Sequence, residues 1–295
     1  MLAVDLGQSG SRYEFESSQG ILSRGKLSSE SVLESLQAIF ELLPPLKSDI
    51  VALSCTGFNG NVLEPEKYGQ LCAQYFGATM VAIIDDGLAG FIGALNGGDG
   101  VVLSIGGGVV AVGGHDGKYA HRDGLGSTFG DEGGGFWLGK LAITKALRTR
   151  QGSGDDEEML DYFAEECIAY DKLLIKNGSD AATFAINTAK KVLEAADAGI
   201  STATAIVEEG AYLLAQTVVA TWFGCGGTKA DSPEIVIKGG PARSALYSSK
   251  IAKEVIAKLP NAIIVQKAGD NLDGAKWIAQ NMCQDSPPLL LWSGL

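Results

Sequence analysis

Asp5 closes the apolar run Leu2-Ala3-Val4-Asp5-Leu6 and stands directly before Gly7-Gln8-Ser9-Gly10-Ser11-Arg12. Further along, Val101-Val102-Leu103-Ser104-Ile105 runs into Gly106-Gly107-Gly108-Val109-Val110. Each is an apolar strand, a small-residue turn and a second strand. Glycine lets a backbone come close to a bulky anion and point its N–H groups at it. Two such turns, one per half of the chain, suit a grip on a polyphosphate from both sides. A carboxylate at the carboxyl end of a strand in an open α/β sheet faces the ligand side. Asp5 is therefore a candidate to hold Mg²⁺ through water, since Mg²⁺ gives up its hydration shell reluctantly. Ser9 and Ser11 can donate to phosphate oxygens and Arg12 adds charge; a plain hairpin turn is the alternative. No Gly-Lys-Ser or Gly-Lys-Thr follows, and a strand rather than a helix comes next, so this is not a P-loop.

A second group is Ile83-Ile84-Asp85-Asp86-Gly87, where a strand delivers adjacent carboxylates to the start of a helix. One can cap the helix. The other is then free to orient a hydroxyl and take its proton, as phosphoryl transfer to an alcohol requires. Both could equally be ordinary cap and turn residues. A third is Gly130-Asp131-Glu132-Gly133-Gly134-Gly135-Phe136-Trp137-Leu138-Gly139. Adjacent acids between glycines suit the hydroxyls of a sugar; a charged helix start, favoured by the helix dipole, is the alternative. A fourth is Ile235-Val236-Ile237-Lys238-Gly239-Gly240-Pro241, a strand opening into a turn against which a base or ribose can lie.

The elements that must position these groups alternate. Strands are expected at Leu2–Leu6, Arg12–Ser18 and Ile21–Gly25, the last two turning at Gln19-Gly20. A helix spans Glu30–Leu43, capped by Ser28 or Ser29 and ended by Pro44-Pro45. Then come strand Ile50–Ser54, helix Glu66–Phe76, strand Met80–Ile84 and helix Leu88–Leu95. The order is β-β-β-α-β-α-β-α. Strands Val101–Ile105, Val109–Gly113 and Lys118–Arg122 and a helix near 134–148 start the second half. Helical segments continue to about Phe223. Strand Ile235–Lys238, helix Ala245–Leu259, strand Ala262–Gln266 and helix Leu272–Cys283 close it. The tail with Pro287-Pro288 reads as irregular. This is an α/β chain with mixed sheets flanked by helices. The repeated order predicts two duplicated lobes with a cleft between them.

Composition narrows the function. The chain has 295 residues, 46% hydrophobic and 20% charged, enough to bury a real core, and a net charge of −12. That balance argues against a nucleic-acid groove but not against one nucleotide held by N–H groups and a metal. No apolar run reaches the roughly 18 residues of a membrane span. Asp5 interrupts any signal sequence, so a cytoplasmic protein is expected. The cysteines (Cys55, Cys72, Cys167, Cys225, Cys283) are scattered with no CxxC pair, as for reduced thiols without a zinc site. His115 and His121 form only a weak metal signal.

In this order the motifs resemble the sugar kinase/actin/heat-shock-protein superfamily of ATPases. Asp5-Leu6-Gly7-Gln8-Ser9-Gly10 looks like its first phosphate motif, Ser104-Ile105-Gly106-Gly107-Gly108 its second and Lys238-Gly239-Gly240 its adenosine motif. The closer match is the BadF/BadG-type ATPase family that includes N-acetylglucosamine kinase. Gly130–Gly139 is similar to that family's Gly-Asp-Glu-Gly-Ser-Gly-Tyr-Trp-Ile-Gly, and Asp85-Asp86 to its Asn-Asp.

The resemblance implies an actin-like ATPase fold of two ribonuclease-H-like lobes. The N-terminal lobe is expected at 1–96 with the returning helix 271–283. The C-terminal lobe is expected at 97–270 with a helical insertion at about 155–225, a candidate homodimer contact. It implies Mg²⁺–ATP between the lobes and transfer of the γ-phosphate to the 6-hydroxyl of an amino sugar. Asp86 is the implied base and Asp5 the metal residue. Gly7, Gln8, Ser9, Gly10, Ser11, Arg12, Gly106, Gly107, Gly108, Gly239 and Gly240 are expected on the nucleotide. Thr56 and Asn59 (in Thr56-Gly57-Phe58-Asn59-Gly60), Asp86, Gly107, Asp131 and Glu132 are expected on the sugar. No nucleic acid or membrane partner is expected. Three departures stand out. Gly107 and Val109 replace the threonine and serine of Gly-Thr-Gly-Ser. Gln8-Ser9-Gly10-Ser11 stands for Gly-Gly-Gly-Thr, and Leu125 for a tryptophan. Two other roles are open to such a sequence, a non-catalytic sugar or nucleotide sensor and an ATPase activator of a dehydratase. The activator would need cysteines for an iron–sulfur cluster. A repressor-type homologue would need a zinc motif with more cysteines than Phe223-Gly224-Cys225-Gly226-Gly227 supplies.

Overall fold

A computed structural model describes residues 1–7, 10–15, 18–24, 31–58, 62–175, 180–267, 269–281 and 290–293. The chain forms two compact units, one of Met1–Gly100, Val112–Ala120 and Lys267–Leu295, the other of Val101–Ala111 and His121–Gln266. Among the described residues no helix is long and apolar enough to cross a membrane.

The first unit begins with β1 (Leu2–Gly7), β2 (Gly10–Phe15) and β3 (Ser18–Arg24), followed by α1 (Val32–Phe40) and β4 (Ile50–Cys55). Next come α2 (Pro65–Phe76), β5 (Met80–Asp85) and α3 (Asp86–Leu95). Strands β1, β4 and β5 are parallel, and β2 and β3 extend the sheet as an antiparallel hairpin. Apolar residues of β1, β4 and β5 are almost wholly buried, as befits strands covered on both faces. Val4, Leu6, Leu53 and Ile83 share one cluster with Leu36, Ile39 and Phe40 of α1 and Cys72 and Phe76 of α2.

Three expectations are corrected here. The β2–β3 hairpin pairs Phe15 with Ser18, so it does not turn at Gln19-Gly20. Gly20 instead lies opposite Tyr13, whose ring takes the place a side chain there would need. The tail is also not irregular throughout: β11 (Leu290–Ser293) pairs antiparallel with β5 and completes a six-stranded sheet, β11-β5-β4-β1-β2-β3. Helix α1 starts later than expected. Its cap is Ser31, which accepts from the Glu34 N–H at 3.2 Å, and the expected caps Ser28 and Ser29 lie outside the described residues.

The second sheet runs β10-β9-β6-β7-β8. It contains β6 (Gly100–Ile105), β7 (Val109–His115), β8 (Lys118–Asp123), β9 (Glu234–Gly239) and β10 (Ile263–Val265). Helix α4 (Gly135–Arg150) follows β8; α5 (Glu157–Tyr162), α6 (Ala164–Ile175), α7 (Ala181–Asp197) and α8 (Ser201–Gly224) come before β9. A 3-10 turn at Pro241–Arg243 leads into α9 (Ala245–Lys258). With α10 (Asn271–Asn281), each half carries the order β-β-β-α-β-α-β-α, the second with α5–α8 inserted. Helix α10 packs on α3 within the first unit, backbone to backbone: a side chain on Gly274 would collide with the Ala89 carbonyl.

Candidate functional site

In the first unit the parallel register sets Leu6, Cys55 and Asp85 side by side at the carboxyl ends of β1, β4 and β5. Asp5, Thr56 and Asp86 flank that line. Asp85 is the cap of α3, accepting from the Gly87 N–H at 2.9 Å. Asp86 is the first residue of the helix, where the dipole favours an acid. Its pKa is raised to about 6, first by burial and then by the Asp85 charge, against a lowering hydrogen bond from the Thr56 hydroxyl. Asp86 is thus a carboxylate whose proton affinity lies close to neutrality, a property suited to a general base. Thr56, expected on the sugar, holds Asp86.

Asp5 is buried and closely held. Its Oδ1 accepts from Ser54 Oγ at 2.9 Å and Asn271 Nδ2 at 3.2 Å, and its Oδ2 from Arg12 Nε at 3.1 Å. Arg12 also reaches Asp270 at 2.6 Å. A carboxylate offers about four lone-pair positions. Three are filled, which leaves one position, room for Asp5 to accept from a metal-bound water of Mg²⁺. Ser11 faces the other way, into the core. Its hydroxyl is buried and finds no partner among the described residues, so it does not join Arg12. Gly7 pairs with Gly10 across the hairpin; Gln8 and Ser9 between them, and Asn59, lie outside the described residues.

In the second unit the turn Gly106–Val109 is tied on several sides. The Gly135 N–H donates to the Gly106 carbonyl at 2.8 Å and the Phe136 N–H to the Gly107 carbonyl at 2.9 Å. Among the described residues the Gly107 and Gly108 N–H groups donate to nothing in the chain. A side chain on Gly107 would meet Ile186 Cδ1 of α7 at 2.7 Å, so α7 fills the space of the missing threonine. Asp131 accepts from the Val109 N–H at 2.8 Å, and Glu132 is exposed, so these neighbours do not act as a pair. Gly239 has φ +114° and lies against the Ile105 carbonyl, where a side chain would collide. Beside Gly240 there is open space, room for a planar group.

Sequence reasoning passed over Ser54, Asp123, Asp270 and Asn271 as site residues. Ser54 had a signal in the sequence, a lone hydroxyl in the apolar run Ile50–Cys55, which the fold buries fully. The others come to the site by folding alone. His115, beyond these groups, faces Asp99 at 2.8 Å in a cluster with Asp116.

The profile of the BadF/BadG/BcrA/BcrD ATPase family matches residues 12–275. No curated protein matches the sequence. Among solved structures, a candidate N-acetylglucosamine kinase from Chromobacterium violaceum is similar at 19% identity and a TM-score of 0.65, over 95% of this chain and 99% of that one. Another, from Porphyromonas gingivalis, is similar at 14% identity and 0.64, over 96% and 100%. A ROK family glucokinase from Streptomyces griseus, in complex with glucose and AMPPNP, is similar at 17% identity and 0.55, over 95% and 99%. At these identities the likeness establishes the actin-like ATPase fold alone.

Proposed function

This chain belongs to the BadF/BadG/BcrA/BcrD ATPase family, and we propose that it transfers the γ-phosphoryl group of ATP to the 6-hydroxyl of an amino sugar of the N-acetylglucosamine or glucosamine type. The observation that carries this reading is Asp86, a strand-end acid with its pKa raised to about 6 and its carboxylate held by Thr56. A sugar hydroxyl becomes a nucleophile as its proton leaves. A carboxylate that is mostly ionised at neutral pH, yet more basic than an ordinary aspartate, is suited to accept that proton. The acceptor class follows from the similarity of Gly130–Gly139 to the N-acetylglucosamine kinase segment.

The free N–H groups of Gly107 and Gly108 serve as donors to phosphate oxygens. Gly240 leaves space for the adenosine. Asp5 would hold Mg²⁺ through a metal-bound water, and the ion would supply positive charge to the phosphates. Arg12 supplies a fixed cation beside Asp5. A coupled assay of ADP release across a panel of amino sugars tests the proposal. One amino sugar should stimulate release, and Asp86→Asn should lower turnover by about 10²–10⁴-fold while AMPPNP still binds. Full turnover in that variant would remove Asp86 from its role.

One observation favours a second reading, a sensor that binds sugar and nucleotide without transfer. The second turn lacks both hydroxyls, and Ile186 occupies the space beside Gly107. Sugar binding by calorimetry with no ADP release under any acceptor would select it.

A further inference from the structure

We propose that Asp131 is the positioning residue of the Gly106–Val109 turn, fixing the one peptide unit of that turn that the backbone of α4 leaves unheld. In a trans peptide the C=O and the next N–H point in opposite directions. The Gly106 carbonyl accepts from Gly135 and the Gly107 carbonyl from Phe136, both in the first turn of α4. The N–H groups of Gly107 and Gly108 must therefore point away from α4, side by side. The next unit joins Gly108 to Val109. Its carbonyl folds back to accept from the Gly106 N–H at 2.8 Å, and its N–H donates to Asp131 Oδ1 at 2.8 Å. Asp131 is the only side chain that accepts from the N–H groups of residues 106–109 among the described residues.

Asp131 is itself held. Its N–H donates to Asp123 Oδ1 at 2.8 Å, and its carbonyl accepts from the Gly134 N–H at 3.0 Å. Its φ is +60°, a left-handed conformation that Asp and Asn tolerate better than most residues. Its carboxylate lies flat against Gly108, where an added Cβ would come within 2.6 Å of both oxygens. This packing gives Gly108 a reason to be glycine apart from any ligand. A sugar contact made by the remaining oxygen would be additional; the oxygen on Val109 belongs to the turn.

The inference rests on reading this turn as a phosphate site, so its test has one arm that does not. That arm is hydrogen–deuterium exchange of the peptide covering 101–112 in full-length protein without ligand. Asp131→Ala and Asp131→Gly should each speed exchange at Val109 by at least about tenfold. The glycine variant removes the carboxylate without adding backbone strain. Asp131→Asn keeps an oxygen acceptor and should restore slow exchange. The other arm is AMPPNP affinity by calorimetry without sugar. The alanine and glycine variants should bind at least about tenfold more weakly, and the asparagine variant within about threefold of the parent. Unchanged exchange and AMPPNP affinity in both truncations, with only the sugar KM raised, would overturn the proposal and leave Asp131 a sugar ligand. If the parent fails to bind AMPPNP, the kinase reading falls, and the exchange arm still decides the role of Asp131.

Discussion

The two units treat negative charge in opposite ways. The first unit brings Asp5, Asp85 and Asp86 to neighbouring strand ends, and Arg12 answers only one of them directly. The second unit sets one carboxylate, Asp131, against a backbone N–H and, among the described residues, leaves two further N–H groups free. Burial and the neighbouring Asp85 charge raise the proton affinity of Asp86, so proton transfer at that residue should follow pH. Backbone N–H groups do not titrate, so anion binding by the second unit should follow geometry.

The largest break in this comparison is Asp86→Asn. It should cost about 10²–10⁴-fold in turnover, read in the ADP-release assay. The same variant should be more stable than the parent. A raised folded pKa stabilises the fold while the acid is protonated, and that contribution is lost as pH climbs from the ordinary aspartate value through about 6. Chemical denaturation should show Asn gaining up to about 3 kcal/mol near pH 8 and much less near pH 4. No pH dependence in the gain would mean that Asp86 is not electrostatically loaded.

Next in size is Arg12→Ala, which leaves buried Asp5 with only Ser54 and Asn271. A loss of about 2–3 kcal/mol is expected by denaturant unfolding. A loss under about 0.5 kcal/mol would show that the first unit needs no internal cation.

For the second unit, Gly107→Thr restores a hydroxyl but drives a side chain into Ile186. The exposed tip of Ile186 can turn aside, so the cost should be no more than about 1 kcal/mol, and Ile186→Ala in the same chain should recover part of that. Recovery absent, the space beside Gly107 is not set by α7. The finest measurement is the acid limb of kcat/KM, expected near pH 6 from Asp86. Thr56→Val removes the hydrogen bond that favours the ionised form and should move that limb up by roughly one unit. A limb that stays in place would separate Thr56 from the acid.

Much of the architecture was legible because hydrophobic period and turn chemistry are local. The eightfold element order, the acids at strand ends and the glycine turns all follow from residues close in sequence. Reading failed where a local signal met a distant partner. Gly20 looks like a turn residue, yet it is small because the Tyr13 ring lies over it. Pro287-Pro288 speaks against regular structure nearby, but the open edge of β5 recruits Leu290–Ser293 all the same.

The roles of the acids divide along the same line. Strand periodicity and helix-capping preference place Asp5, Asp85 and Asp86 at the right ends of their elements, because those forces act within a few residues. What each carboxylate can do depends on its remaining lone pairs and on the charge around it. Asp5 takes a third donor from Asn271, brought to it across the length of the chain, which leaves it one open position, and Asp131 Oδ1 is committed to Val109. A residue type specifies a charge and a reach; only the packed chain determines which donors stand within that reach and how far water is excluded from them.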